Sequence, residues 1–186
     1  MMKKVCLVFV WLLSSMCCCA QWVFQPTLSL GSSGLYYASD TPYGITGGGG
    51  FVGGVDAEFS YDFNEVFFLQ GGTGIHYTKH VDSLYDGRAC WLPIYAGGRM
   101  GDILFLEGFI GYNIPIGSSS IGYVHGWFVD FGAGMNLDPL LICLNFRYLN
   151  AFGGSGMFYV PQANLPIESG FTIGVKIKIR FPLNDD

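Results

Sequence analysis

Charged residues are scarce in this sequence. They make up 12% of its 186 residues, about half of the ~25% that is typical of globular proteins, whereas 51% are hydrophobic and 17% aromatic. A surface that faces water needs more charge than this, which argues against an ordinary soluble domain. Disorder is excluded as well, because a chain so rich in aromatic and β-branched residues collapses.

Basic residues are the scarcer of the two charge types. Nine Lys and Arg stand against fourteen Asp and Glu, which gives a formal net charge of −5 at pH 7. Lys3 and Lys4 lie in a predicted leader, so the mature chain keeps seven bases against fourteen acids. A chain with this excess of acids does not neutralise phosphates, and we therefore expect no nucleic-acid partner.

Long hydrophobic runs are missing too, except at the N-terminus. There, two lysines precede the apolar run 5–13, and small residues precede Gln21. The run is shorter than the ~20 apolar residues of a transmembrane helix, and the pattern is typical of a cleaved secretory signal peptide. We predict a signal peptide over residues 1–20. A lipoprotein signal is the alternative, but the residues before Cys17 match a lipobox poorly.

The mature domain, residues 21–186, is poor in cysteine. Four of the six cysteines leave with the leader, so only Cys90 and Cys143 remain. The strands predicted below place them near opposite ends of the domain, beyond the ~7 Å between Cα atoms that a disulfide allows. We therefore expect two unpaired thiols.

Helical periodicity is absent after the leader, and a period of two residues takes its place. In the run 171–181 apolar residues alternate strictly with threonine, glycine and basic residues, as in a β-strand with two different faces. Seven further runs follow the same pattern. The eight predicted strands are 25–37, 50–62, 65–79, 90–100, 103–114, 125–137, 139–150 and 170–181.

The connections between these strands alternate in length. Tight turns at 62–64, 100–102 and 136–138 alternate with longer links at 38–49, 80–89, 115–124 and 151–169. This alternation predicts an all-β fold, an eight-stranded antiparallel up-and-down transmembrane β-barrel. A soluble barrel is the alternative. Its solvated wall would carry only about nine charges, and its narrow core would have to hold residues as large as Trp127 and Phe131.

When the apolar faces point to lipid, the charged residues point into the barrel. An eight-stranded barrel is only wide enough for side chains to fill it, and buried charges must be paired. We therefore expect an interior closed by ion pairs, with a narrow ion path as the alternative. The predicted interior charge network is Asp56, Glu58, Arg99, Glu107, Asp130, Arg147, Lys176, Lys178 and Arg180.

Within this network we expect the three bases of the last strand to take their partners from the four acids that it contains. Every other acid lies in a turn, a loop or the tail. Glu58 lies at about the depth of Lys178 and is the partner that we single out.

Catalytic and metal chemistry is not indicated. The three histidines, His76, His80 and His125, have only ordinary loop residues such as Ser83 and Ser118 nearby, and no Gly-x-Ser-x-Gly arrangement exists. His76 and His80 lie about 13 Å apart on a strand, too far to share a metal. We expect no enzyme activity, no metal and no cofactor.

Aromatic residues gather near the two ends of the predicted strands, where lipid interfaces select them. We expect one girdle at the loop end and a second at the turn end. The loop-end residues are Tyr36, Tyr37, Tyr77, Trp91, Tyr112 and Trp127, and the turn-end residues are Phe24, Phe59, Tyr61, Phe67 and Phe105.

Four segments carry a resemblance to a known family: 107–112, 128–135, 146–148 and the last strand with Thr172-x-Gly174-x-x-Ile177-x-Ile179. Over residues 25–181 the chain resembles the small eight-stranded outer-membrane β-barrel proteins of Gram-negative bacteria. It is most similar to the porin-family outer membrane protein β-barrel domain proteins common in Bacteroidota. The resemblance implies an OmpA-like barrel in the outer membrane and a last strand that the barrel-assembly machinery reads. Five residues follow Phe181, so the chain does not end on that aromatic residue as the signal often does.

These observations predict a monomer in contact with outer-membrane lipid, with both termini periplasmic. We expect a structural or surface-interaction role for a barrel whose four long links face outward. A small transport or signalling channel is the alternative, and a lipid-modifying barrel enzyme is less favoured. The sequence does not indicate an external ligand.

Overall fold

The computed structural model describes residues 21–37, 46–64, 66–81, 86–116, 126–149, 158–160 and 165–183, so the predicted leader lies outside the described ranges. The strands are β1 Gln21–Tyr37, β2 Thr46–Asp62, β3 Phe67–Val81, β4 Asp86–Met100, β5 Leu104–Pro115, β6 Gly126–Leu137, β7 Leu140–Leu149, β8 Phe158–Val160, β9 Leu165–Ile179 and β10 Phe181–Pro182. Within the described ranges, no helix is long and apolar enough to span a membrane.

Eight of these strands close into a barrel. Each of β1 to β7 is antiparallel to its neighbour in the chain, and β9 pairs with both β7 and β1. The short β8 pairs with the loop end of β9. β10 continues the last strand beside β1. The prediction of a closed barrel of eight antiparallel strands is confirmed.

The register of the strands sets the width of the barrel. Directly paired residues, followed once around the sheet from Phe24, end on Gly34 of the same strand. This stagger of ten residues over eight strands tilts the strands by about 40° from the barrel axis. A barrel of this kind encloses only enough space for its own side chains.

Burial alternates along each strand and separates two surfaces. On β7, Leu141, Cys143, Asn145, Arg147 and Leu149 are buried, and the residues between them are exposed. The exposed face of the barrel is apolar, with Phe131 and Leu144 among its most exposed side chains. Most buried side chains, by contrast, are polar or charged. The molecule is therefore inside-out relative to a soluble barrel.

Three of the predicted long links are partly wrong. The expected links 38–49, 80–89 and 151–169 contain the first residues of β2 and β4, the last residues of β3, all of β8 and the start of β9. Glycine-rich stretches such as 47–50 show no alternation of polar and apolar side chains, so the sequence pattern does not predict a strand there. Their backbones nevertheless continue the hydrogen-bonded ladder. The hairpins are therefore longer at the loop end than the hydrophobic pattern indicates.

The turn end of the outer surface carries a band of contacting aromatic rings. Trp22 packs on Tyr61 with ring centroids 5.0 Å apart, Phe24 on Phe59 at 5.2 Å, and Tyr61 on Phe63 at 4.9 Å. At the loop end, Tyr112 and Trp127 pack edge to face at 5.2 Å. The side chains of Tyr36 and Tyr37 lie outside the described part.

The girdle prediction is wrong for Trp91 and Phe105, because both side chains are buried in the barrel interior. Each lies an even number of residues from an inward-facing charged residue on its own strand, Arg99 and Glu107 respectively, and therefore shares its face.

The beginning of the first strand and the end of the last strand meet at the turn end of the barrel. The amide of Leu183 donates to the carbonyl of Trp22 over 2.9 Å. Cys90 lies outward on β4 and Cys143 inward on β7, and both are free thiols.

Candidate functional site

The charged interior of the barrel is the candidate site. The alternation of each strand sends the nine residues of the predicted network inward, where all but the half-buried Arg180 are buried. Lys176, Lys178 and Arg180 occupy successive inward positions on the last strand and descend toward the turn end. Each of these bases meets a different set of acids.

The Asp130 cluster, named here for its central acid, occupies the loop-side half of the interior. Asp130 accepts hydrogen bonds from Arg147 Nη2 at 2.9 Å, Arg147 Nε at 3.1 Å and Lys176 Nζ at 2.8 Å. Asn145 adds a longer bond of 3.4 Å to the other carboxylate oxygen. One buried carboxylate thus holds two cations from two other strands.

His76 and Asp56 complete this cluster on the opposite wall. His76 Nε2 lies 2.9 and 3.0 Å from the two carboxylate oxygens of Asp56, and Nδ1 lies 3.4 Å from Arg147 Nη1. His76 is not part of the predicted network. His76 lies an even number of residues from Gln70 and Thr78 on β3 and therefore shares their inward face. This alternation in the sequence could have identified it.

The Glu58–Glu107 cluster lies one step toward the turn end. Lys178 Nζ donates to Glu58 at 2.9 Å and to Glu107 at 2.7 Å, with all three side chains almost fully buried. The hydroxyl of Tyr95 donates to the other oxygen of Glu58 at 2.9 Å. The expected partnership of Glu58 and Lys178 is present, and Glu107 shares the same ammonium.

The turn-side cluster consists of Arg180, Asp62 and Arg99. It differs from the expectation that the bases of the last strand take all their partners from the predicted network. Arg180 pairs at 2.6 Å with Asp62, an acid that is predicted to lie in a turn and outside the network. Asp62 is the last residue of β2 and lies four residues after Glu58, so its side chain faces inward as well.

Arg99 belongs to the turn-side cluster and is held differently. Its guanidinium carbon lies 4.0 Å from the ring centroid of Phe68 and 5.4 Å from that of Phe105. Within the described part of the chain its two terminal nitrogens have no hydrogen-bond partner. Arg99 is directly paired in register with Glu107, whose carboxylate bonds to Lys178 instead. Arg99 is therefore stacked rather than ion-paired.

Glycine makes the room for these long side chains. A Cβ at Gly72 would come within 3.0 Å of the Tyr95 hydroxyl and of Glu58 Cγ. A Cβ at Gly54 would strike the His76 ring. Side chains that reach across the barrel thus require glycine on the wall that they meet.

The two ends of the interior differ in the space between their side chains, and a cavity of about 220 Å³ opens at the turn-side mouth, lined by Asp62, Phe68 and Arg180 among others. A cavity of about 20 Å³ lies in the loop-side half, lined by His76, Arg147, Lys176, Asn145 and Thr172 among others. Such a volume is enough for about one water molecule. The side chains of the Asp130 cluster therefore nearly fill the interior at this depth.

The chemistry that this arrangement can perform is limited. The described partners of His76 are a carboxylate and a guanidinium, whereas acyl transfer needs a nucleophile in hydrogen-bond reach of the histidine. No group of three potential metal ligands occurs among the described residues. His125, Ser83, Ser118 and the side chain of His80 lie outside the described part.

No protein-family model and no curated protein matches the chain. Among solved structures, the outer membrane enzyme PagL is similar, at 15% identity and a TM-score of 0.51, over 83% of this chain and 98% of that chain. Neisserial surface protein A is similar at 14% identity and a TM-score of 0.48, over 87% and 99%. Ail of Yersinia pestis, in complex with the heparin analogue sucrose octasulfate, is similar at 13% and 0.44, over 84% and 99%. At these identities the likeness to PagL shows the fold alone.

Proposed function

We propose that this protein is an outer-membrane β-barrel with a structural or surface-interaction role, and that its interior is closed to ions. The balance of interior charge carries the proposal. Among the described residues, five acids and five bases face inward. All of them except Arg99 and Asp56 form ion pairs between an acid and a Lys or Arg. Ion pairs held this tightly in a narrow barrel block the path that a permeating ion would take.

The outer membrane is the location that the two surfaces favour. The outward face is apolar between two aromatic bands, which is what a bilayer core and its interfaces select. PagL, whose fold this chain shares, is an outer-membrane protein. The proposal includes cleavage of residues 1–20, insertion by the barrel-assembly machinery, and membership of the Bacteroidota type of barrel.

In this orientation the long links face the outside and both termini are periplasmic. The even number of barrel strands returns the chain to its starting end, and the bond between Leu183 and Trp22 joins the two ends there. A monomer whose links meet the environment is suited to a structural or binding role rather than to catalysis in its interior.

Conductance of the refolded barrel in planar bilayers tests the closed interior. We expect wild-type protein to insert without steady conductance. A variant with Asp130→Ala and Arg147→Ala, which removes the central ion pair of the Asp130 cluster, should conduct and thereby prove that inserted barrels are detectable. Steady wild-type conductance would replace the closed barrel with the channel alternative.

Epitope tags test the orientation. Tags inserted near Gly48 or Gly154 should be accessible on intact cells, and a tag after Asp186 should not. Surface labelling of the C-terminal tag would contradict the proposed topology.

A further inference from the structure

Two grooves run side by side on the outer wall in its turn-side half. The first encloses about 730 Å³ over β4 to β7, and the second about 610 Å³ over β3 to β6. Met100 and Leu106 line both grooves, are directly paired across β4 and β5, and form the ridge between them. Gly98 and Gly108 give the second groove its shallow floor, and Ala133 does so for the first.

The grooves have the length and direction of lipid chains in one leaflet. On β6 the first groove extends from Leu137 at the turn rim to Ala133, four residues further into the barrel wall, and the second groove reaches Phe131. At ~3.3 Å per residue and a tilt of about 40°, the first groove is about 10 Å long on β6 along the barrel axis, and the two grooves together reach about 15 Å from the rim. Half of a ~30 Å hydrocarbon core has this depth, so both grooves lie within the leaflet on the turn side.

The rim where both grooves begin is acidic. Asp102 lies in the turn from β4 to β5, Asp138 lies in the turn from β6 to β7, and both are exposed. Of the seven bases of the mature chain, five face the interior, and Lys79 and Arg88 lie outward near the loop end. Arg180 is the base nearest this rim among the described residues, and it faces the barrel mouth, where it pairs with Asp62. The outward side of the described turn rim therefore offers carboxylates, which suit an ammonium and disfavour a net-anionic headgroup.

We infer that these two grooves bind one two-chain phospholipid that carries an ammonium, phosphatidylethanolamine, from the leaflet on the turn side. One acyl chain lies on each side of the Met100–Leu106 ridge, and the headgroup ammonium meets Asp102 and Asp138. The inference rests on the proposed function, because it requires the outer wall to face lipid.

Native mass spectrometry of the refolded full chain tests this inference. The protein is exposed to equal amounts of dioleoyl phosphatidylethanolamine and dioleoyl phosphatidylglycerol and released from detergent, and retained lipid is counted. We expect one phosphatidylethanolamine in excess over phosphatidylglycerol. Asp102→Asn with Asp138→Asn should reduce the excess by roughly two- to five-fold per carboxylate, the range for exposed ion pairs.

Filling the groove floors tests the fit of the acyl chains. Gly108→Leu with Ala133→Leu should reduce retention of both lipids, and the space at Gly108 accepts a Cβ in ordinary contact with Phe131. Ala133→Leu alone and Ala57→Leu are the matched pair, since they add the same bulk inside the first groove and on the outward face of β2, away from both grooves.

Equal retention of the two lipids, or equal effects of Ala57→Leu and the groove variants, would mean non-specific annular lipid and overturn the inference. A stable dimer that the groove variants abolish would overturn it in favour of contact between two copies. Failure of the refolded chain to enter vesicles at all would instead contradict the proposed function.

Discussion

Two buried arginines, Arg147 in the loop-side half of the interior and Arg99 in the turn-side half, are held in two different ways. In the Asp130 cluster, Arg147 shares one carboxylate with Lys176 through short hydrogen bonds, and its guanidinium carbon also lies 4.3 Å from the ring centroid of Phe128. In the turn-side cluster, Arg99 has aromatic faces on Phe68 and Phe105 and no ion pair among the described residues. A barrel can therefore bury a charge by pairing it or by stacking it, and the two solutions should differ in what their removal costs.

The largest expected effect is at the shared carboxylate. Asp130→Ala leaves Arg147 and Lys176 buried without their common partner, and removal of one member of a buried ion pair typically costs about 3–5 kcal/mol. Chemical unfolding of the refolded barrel in detergent should show a loss of this size. A loss below about 1 kcal/mol would mean that these cations find other partners and that the cluster is not a unit.

The next effect is at the Glu58–Glu107 cluster. Glu58→Ala should destabilise the barrel by about 2 kcal/mol, less than Asp130→Ala, because Lys178 keeps Glu107 while the Tyr95 hydroxyl loses its acceptor.

A second substitution in the same chain sharpens this result. Lys178→Met in the Glu58→Ala background should restore stability only in part, because Glu107 then loses its close ammonium at 2.7 Å and keeps only the longer contact of 3.9 Å with Lys176. Full restoration would show that Glu107 contributes nothing, and the same unfolding measurement decides it.

The smallest effect is expected at the stacked arginine. Arg99→Met keeps an unbranched apolar chain against Phe68 and removes a cation–π contact, so the loss should be about 1 kcal/mol or less. Arg147→Met is the matched comparison in the loop-side half, with an expected loss of about 3–5 kcal/mol. Equal losses at the two arginines would remove the distinction between paired and stacked charges.

Much of this architecture follows from the alternation of residue types. The two-residue period places eight strands, and it separates the outward apolar face from the inward charges, because a strand has only two faces. Glu58 and Lys178 lie on the two strands beside β1, opposite Gln25 and Thr27, so their partnership follows from the register in which the barrel closes.

The misses have a common physical origin. Aromatic residues suit both lipid and a packed interior, so Trp91 and Phe105 fit either surface, and only their parity relative to Arg99 and Glu107 decides between them. Asp62 fits the composition of a turn, because aspartate is common in turns, although the β1–β2 ladder continues to that position. The stacking of Arg99 depends on the rotamers of side chains on three strands, and the sequence pattern does not indicate it.

The position of three bases on the last strand gives assembly a direction. Glu58, Glu107 and Asp62 take their cations from Lys178 and Arg180, and Asp130 takes one of its two from Lys176. Before that strand docks between β7 and β1, a partly built sheet holds these carboxylates without those partners and also carries two open edges. Backbone closure and charge neutralisation then happen in one step. A partly built sheet is therefore unstable in the membrane, whereas a completed barrel loses hydrogen bonds and ion pairs together if it reopens.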